Sequence, residues 1–426
     1  MTYRIPVAFA FFASIMITFP IGHDAQATDA EAIQQLKTII EQQQKQLEAQ
    51  QQAIDALNNK VDALTQQEAP TTAPPELAPV SANIVKSSED KVVVKLYGFL
   101  NRAVLVSNDG DDTNYYNVDN ANAQSRFGIR GKAKINEDLA IGSHIELGLN
   151  SNLSSVVDQD NKNIDFDLTD RIIEMFLEDD RYGGLSLGQG HMASDGSSEV
   201  DLSGTMMAGY SAISQMAGGQ FFYDKNTQVL SSTRIRNVFD NMDGLGREDR
   251  VRYDTPIFHG FQVSGSINND DGGDVAVRYS GKFGETLVAA AGAWASPGDQ
   301  IDDIDNQYNG SASVLFGMGL NFTVAGGYRD LDGSRSADDA TFLYGKVGYR
   351  RAFFSPGDTA FCLEYGRYND IAQNDDEADT IGVHLAQHFD PWGSEWYFVY
   401  RHHTLDRDNE KFDDIDALMS GFRVKF

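Results

Sequence analysis

The chain closes on residues 417–426, "ALMSGFRVKF". Chain ends are ordinarily frayed and polar, yet this one stops on an aromatic side chain one residue after a lysine. The stretch alternates. Leu418, Phe422, Val424 and Phe426 fall on one side of an extended chain, interrupted only by Ser420, and Met419, Gly421, Arg423 and Lys425 fall on the other. A period of two is a β-strand with one apolar face. A strand that runs to the final residue exposes a sticky edge unless it is paired along its length. Pairing it with the first strand would close the sheet on itself.

The opposite end predicts the compartment. Arg4 precedes an apolar run from Ile5 to Phe19, and Ala25-Gln26-Ala27 forms a small-residue cleavage site. Residues 1–27 therefore read as a secretory signal peptide, too short and too broken by Pro6 and Pro20 for a membrane anchor. The single cysteine, Cys362, allows no intrachain disulfide. No later stretch approaches the roughly 18 consecutive apolar residues of a spanning helix. The composition has 39 Gly, 25 Phe and 17 Tyr, with 63 acidic against 34 basic residues and a net charge of -29. That balance excludes a basic nucleic-acid surface. It suits a wall that is apolar on one side only, as in a closed β-barrel whose strands satisfy their backbone groups in lipid.

The mature chain divides into three. Residues 28–67 carry a heptad: Ile33, Ile40, Leu47, Ile54 and Val61 on one seam, Leu36, Gln43, Gln50, Leu57 and Leu64 on the other. This predicts an α-helical coiled coil, whose two seam glutamines leave the number of strands open. Residues 68–91, with Pro70, Pro74, Pro75 and Pro79, read as an extended linker. Residues 92–426 read as about sixteen short antiparallel strands. Their connections alternate in character. Short links built on Gly, Pro and aromatics, such as "DRYGG" at 180–184 and "FDPWGS" at 389–394, take turns with longer acidic ones, such as "NDGDDTNYYNVDN" at 108–120 and "NDIAQNDDEAD" at 369–379. Tight turns on one rim and long loops on the other mark an up-and-down transmembrane barrel. In "SRFGIRGKAKI" at 125–135, Phe127, Ile129, Ala133 and Ile135 share one face, and Arg126, Arg130, Lys132 and Lys134 share the other. Four cations on one wall imply a wet interior.

One link is out of scale. The segment at about 191–245 holds Asp195, Glu199 and Asp201, then small residues and methionines, then Gly218-Gly219. A loop of that length in a compact protein is usually functional. This one is too apolar to extend into solvent, and it is expected to fold into the barrel and narrow it.

With these features in place the chain resembles the Gram-negative trimeric general porins. The resemblance is carried by "KLYGFLNRAVL" at 95–105, "SRFGIRGKAKI", "LAIGSHIELGLN" at 139–150, the third-loop pieces "GLSLGQG", "DLSGT" and "AGGQFF", and the terminal Phe426. It implies a homotrimer in the outer membrane of a Gram-negative bacterium, with no cofactor. It also implies a constriction in which wall arginines, at Arg126, Arg130 and Arg171, oppose loop acids, at Glu199 and Asp201. Phe99 stands where that family often carries a polar or basic residue. Phe426 matches the signal read by the barrel-assembly machinery, and lipopolysaccharide is an expected neighbour of the acidic loops.

Other motifs carry less. Gly184-Leu185-Ser186-Leu187-Gly188 has the spacing of a nucleophile elbow but lies in a strand pattern without the following helix. The Asp-rich loops lack the spacing of a calcium-binding hand. His402 and His403 point to opposite faces of a strand, so no metal site is expected there. Trp392, Trp396 and Tyr397 suit an interfacial girdle. The expectation is a water-filled channel for small hydrophilic solutes and ions. A solute-specific channel of the same fold, a barrel enzyme or a structural envelope protein are the other readings.

Overall fold

The computed structural model describes residues 83–86, 92–298, 304–331 and 339–426, with the backbone alone for 83–86. The signal peptide, the heptad segment and most of the linker lie outside the described residues. Residues 83–86, read above as linker, form a short strand paired with Val93–Leu96.

The rest is a closed antiparallel barrel of sixteen strands, the second broken into Thr113–Asp119 and Arg126–Lys134 around a short turn of 3-10 helix at Ala121–Ala123. Each strand pairs with its sequence neighbours. The sheet closes where Val92–Asn108 pairs with Ile415–Lys425, in register from Phe99 opposite Lys425 to Asn108 opposite Asp416. Gly98 and Phe426 complete the seam by exchanging both backbone hydrogen bonds. No edge is left along this seam, which is what lets the strand run to the last residue. The Phe426 ring lies over Gly98, where a Cβ would come within 2.6 Å of it.

Alternation decides the two faces. On the last strand Leu418, Phe422, Val424 and Phe426 are 37–56% exposed, whereas Ala417 and Met419 are buried. Exposed Val, Leu, Ile and aromatic side chains continue around the outside, and two belts of aromatics bound them. Trp294, Tyr308 and Tyr328 stand side by side toward the rim of long loops. Phe283, Phe354 and Trp392 stand at the rim of tight turns. This is the outer surface of a barrel seated in lipid. Tyr397, expected in the girdle, points inward instead: it is fully buried and donates its hydroxyl to Asn101 at 2.7 Å. It pairs with Gly421 on the inner face, so its parity is opposite to that of Trp396. Among the described residues no helix is long and apolar enough to cross a membrane.

The chain between His191 and Arg247 lies against the inner wall. Asp274 accepts from the backbone N–H and hydroxyl of Ser194 (2.7 and 2.5 Å). Ser311 and Ser313 accept from the N–H groups of Val200 and Leu202 at 2.9 Å each. Arg401 donates to the Ile213 carbonyl at 2.8 Å, and the loop passes so close that a Cβ on Gly209 would stand 2.3 Å from its guanidinium. Gly219 is pressed against the second long loop, where a Cβ would meet the Val156 carbonyl at 2.4 Å. An apolar seam fills the remaining gap. Loop residues Met207, Ile213, Met216, Phe239 and Met242 pack with wall residues Phe342, Tyr344, Tyr368 and Val399.

Candidate permeation site

Because the loop is stitched to one side of the barrel, the space that remains lies against the other. It is a cavity of about 790 Å³. Arg126, Arg171, Arg247 and Arg423 line it from the wall and the loop junction, and Asp195, Glu199, Asp240 and Asp243 line it from the loop.

Arg126, Arg171 and Arg423 are held by their strand neighbours, and Arg247 stands 3.9 Å from Asp195 of the loop. Glu146, on the polar face of Leu139–Asn150, accepts from Arg171 at 2.7 Å, from Arg126 at 3.3 Å and from the Tyr97 hydroxyl at 2.8 Å. One carboxylate thus serves two guanidiniums. Phe99 presents its ring to both Arg126 and Arg423, whose guanidinium carbons sit 5.1 and 5.3 Å from its centroid. Cation–π contact fixes the two guanidiniums without neutralising them. Phe99 therefore adds no charge but positions two. Arg423 is also paired with Glu395 at 3.0 Å.

Three of the acids are held by the loop itself, and Asp240 is paired with Arg329 of the wall at 2.7 Å. Asp243 accepts from the N–H groups of Gly196 and Ser198 and from the Ser198 hydroxyl. Glu199 accepts from Asn241 at 3.1 Å, and Asp195 is bonded to His191 at 2.5 Å. Burial pushes the Glu199 carboxyl well above the usual range, and Asp243 adds to that. Burial and the neighbouring Asp195 push Asp243 up to about 7, against its hydrogen bonds from Ser198 and Gly196. Carboxyls crowded in a partly dry site favour the neutral form.

The family model described as Gram-negative porin matches residues 72–408. This chain belongs to the Gram-negative porin family. Solved structures of similar fold include the in-vitro folded OmpT of Vibrio cholerae, an outer membrane protein, at TM-score 0.55 and 15% identity, covering 81% of this chain and all of that one. An anion-selective porin from Comamonas acidovorans follows at 0.52 and 15%, covering 79% and 100%. Salmonella typhi OmpF, in complex with daunomycin, matches at 0.50 and 14%, covering 80% and 100%. No curated protein sequence matches the chain. The porin is an outer-membrane diffusion channel of a Gram-negative bacterium.

Of the residues expected at the constriction, Arg126, Arg171 and Glu199 line the cavity. Two do not. Arg130 lies four residues further along its strand, roughly 13 Å away, over the Phe176 ring and paired with Glu178 at 2.6 Å. Asp201 is turned into the wall, where its buried carboxylate meets the equally buried Lys346 ammonium at 2.7 Å. Burial pushes Asp201 up, but Lys346 and the Ser203 hydrogen bonds outweigh it and leave the carboxyl below the usual range. The loop is already flush with Ser311 and Ser313 at this point, so the side chain has no lumen to face.

Five charged lining residues escaped the expectation, among them Asp195, which the sequence places in the loop without assigning it to the constriction. Arg423 sits in the opening quotation, on the polar face of the last strand, and alternation alone could have found it. Arg247 has the parity of the outward residues Val251 and Tyr253 but stands at the loop junction, where parity no longer guides. Asp240 and Asp243 belong to the return segment "DNMDGLG", which has no periodicity to read. Among the described residues no group of three or more His, Cys, Asp or Glu is arranged to hold a metal ion.

Proposed function

We propose that the porin is a general diffusion channel, not an enzyme, and that it screens small hydrophilic solutes and ions by width and by a transverse field. The observation that carries this reading is the placement of four arginines and four acids around one water-accessible cavity. A solute in that space lines up its dipole and is neither trapped nor repelled by net charge. The field is set by Arg126, Arg171, Arg247 and Arg423 against Asp195, Glu199, Asp240 and Asp243. Arg130 and Asp201 stand outside it.

Three such barrels assemble as a homotrimer. The acidic loops face lipopolysaccharide, and Phe426, fixed at the seam, is the residue the barrel-assembly machinery reads. The heptad of residues 28–67 forms a coil on the periplasmic side. A planar-bilayer recording under a salt gradient tests the channel reading. Arg126→Gln with Arg171→Gln moves the reversal potential toward cations, and Glu199→Gln with Asp195→Asn moves it toward anions. A potential that neither pair moves would refute the transverse field. Saturable flux of one solute would favour a solute-specific channel instead.

A further inference from the structure

A second group of cations lies below the constriction. On Arg126–Lys134, beyond Arg126 and Gly128, the residues Arg130, Lys132 and Lys134 take successive inward positions toward the tight turn at 135–138. Same-face positions on a strand are roughly 7 Å apart, so the three span about two such steps. Lys95 stands directly opposite Arg130 on the neighbouring strand. Arg130 and Lys132 share one carboxylate, Glu178, at 2.6 and 2.5 Å. Among the described residues Lys95 and Lys134 have no ion-pair partner. Of the nearby turn acids, Asp138 is already held by Arg181, and Glu137 pairs with none of the four cations.

Arg126 and Arg171 likewise share Glu146, but three other inward arginines are treated differently. Arg252 has Asp254 at 2.8 Å, Arg350 has Asp358 at 2.8 Å and Arg250 has Glu174 at 2.7 Å. Each carries its own carboxylate. Like charges set directly across two strands, as Lys95 and Arg130 are, destabilise the sheet. The barrel gains nothing from this arrangement, since an uncharged polar residue would face water equally well.

We propose that Lys95, Arg130, Lys132 and Lys134 form a second anion site at the periplasmic end of the lumen, which takes a multivalent oxyanion such as a phosphorylated or polycarboxylate solute. The Phe176 ring under Arg130, 4.5 Å from its guanidinium carbon, holds one donor in place. The flexible lysine ammoniums close on separated negative charges around it. A single carboxylate would engage only one step of the row, and two or more linked charges engage several at once. The site rests on the diffusion-channel reading, because its ligand arrives through the lumen.

The experiment is a single-channel recording with inorganic tripolyphosphate as probe, added to one side at a time, the orientation being checked by one-sided cleavage of the long loops. Periplasmic addition interrupts the current at a concentration at least about tenfold lower than addition at the loop side, and orthophosphate does so far more weakly. Lys95→Gln with Lys134→Gln, both exposed and unpaired, weakens the periplasmic block about tenfold, as the loss of two exposed charge contacts predicts, and leaves the open-channel current in place. Block that is equal from both sides, or unchanged in the lysine pair, overturns the proposal. So does block that survives in the lysine pair and disappears in Arg126→Gln, because the anion would then be held at the constriction. A chain that conducts no ions in any condition refutes the channel reading itself.

Discussion

The two halves of the inner wall share one sequence pattern and differ in what they face. On the strands that carry Phe99, Arg126 and Arg171, these inward side chains line the cavity. On the strands that carry Lys346, Glu364 and Arg401, the polar residues are equally inward but have no exposure: Lys346 meets Asp201 at 2.7 Å and Arg401 meets Glu364 at 2.6 Å, all four fully or almost fully buried. The difference is made by the loop at 192–246, which covers one half and leaves the other open. Inward charge therefore marks two distinct jobs. It sets a field in the wet half and fastens a loop in the dry one.

The buried pair is where this contrast breaks most visibly. Lys346→Met strands the Asp201 carboxylate without its partner, which costs about 3–5 kcal/mol for a buried ion pair broken from one side. The expected outcome is a loop that becomes open to protease and a channel with larger, noisier current. The double change Lys346→Met with Asp201→Leu restores much of the anchoring, since replacing both partners by apolar groups is often near neutral. Thermal unfolding in detergent and limited proteolysis of the 192–246 segment read both effects.

In the wet half the same kind of substitution should leave the loop in place and alter only permeation. Removing one wall charge changes an ion's energy by about 1 kcal/mol at 4 Å in water, or roughly fivefold in local occupancy. Arg171→Gln is thus expected to raise the cation-to-anion permeability ratio by about that factor, measured from the reversal potential, without a change in thermal stability comparable to that of Lys346→Met.

A pH step sharpens the contrast within the loop. With its carboxyl near 7, Asp243 loses negative charge as pH falls through neutrality, and Glu199, also raised by burial, changes charge in the same direction where it titrates. The reversal potential should move toward anions between pH 8 and pH 6, opposite in sign to Arg171→Gln. In Asp243→Asn the step should shrink. An unmodified channel whose selectivity is flat over that interval would show that the Asp243 carboxyl does not border the ion path.

The smallest effect belongs to the outer loops, whose acids lie far from the constriction. Their field acts over about 8 Å at physiological salt and about 3 Å at 1 M. A mild cation preference at low salt should therefore fade at high salt, while the effect of Arg171 persists.

Much of the barrel was legible in the sequence. Leu418, Phe422, Val424 and Phe426 announced an outward face, and the sorting of short and long links announced two rims. These rest on a period of two and on turn chemistry, which are local. The site was legible only in part. Arg126 and Arg171 sit in strands and could be assigned a face. Arg130 has the right face but the wrong depth, because alternation reports side and says nothing of height along the pore. Asp201 and Glu199 are two residues apart in a stretch of the loop without regular structure, and only the paths of Ser311, Ser313 and Lys346 decide that one is buried and the other borders water.

The central claim is that the loop divides the interior into a wet channel and a dry seam. Cysteine accessibility tests it most directly, in channels reconstituted in a bilayer and exposed to a charged, water-soluble thiol reagent. Arg126→Cys, on the open side, should react and change the current stepwise. Ala325→Cys, a small and neutral change at a buried position in the apolar seam, should leave the current unaltered, as should the natural Cys362, which is also buried. Equal rates of reaction at positions 126 and 325 would contradict the division.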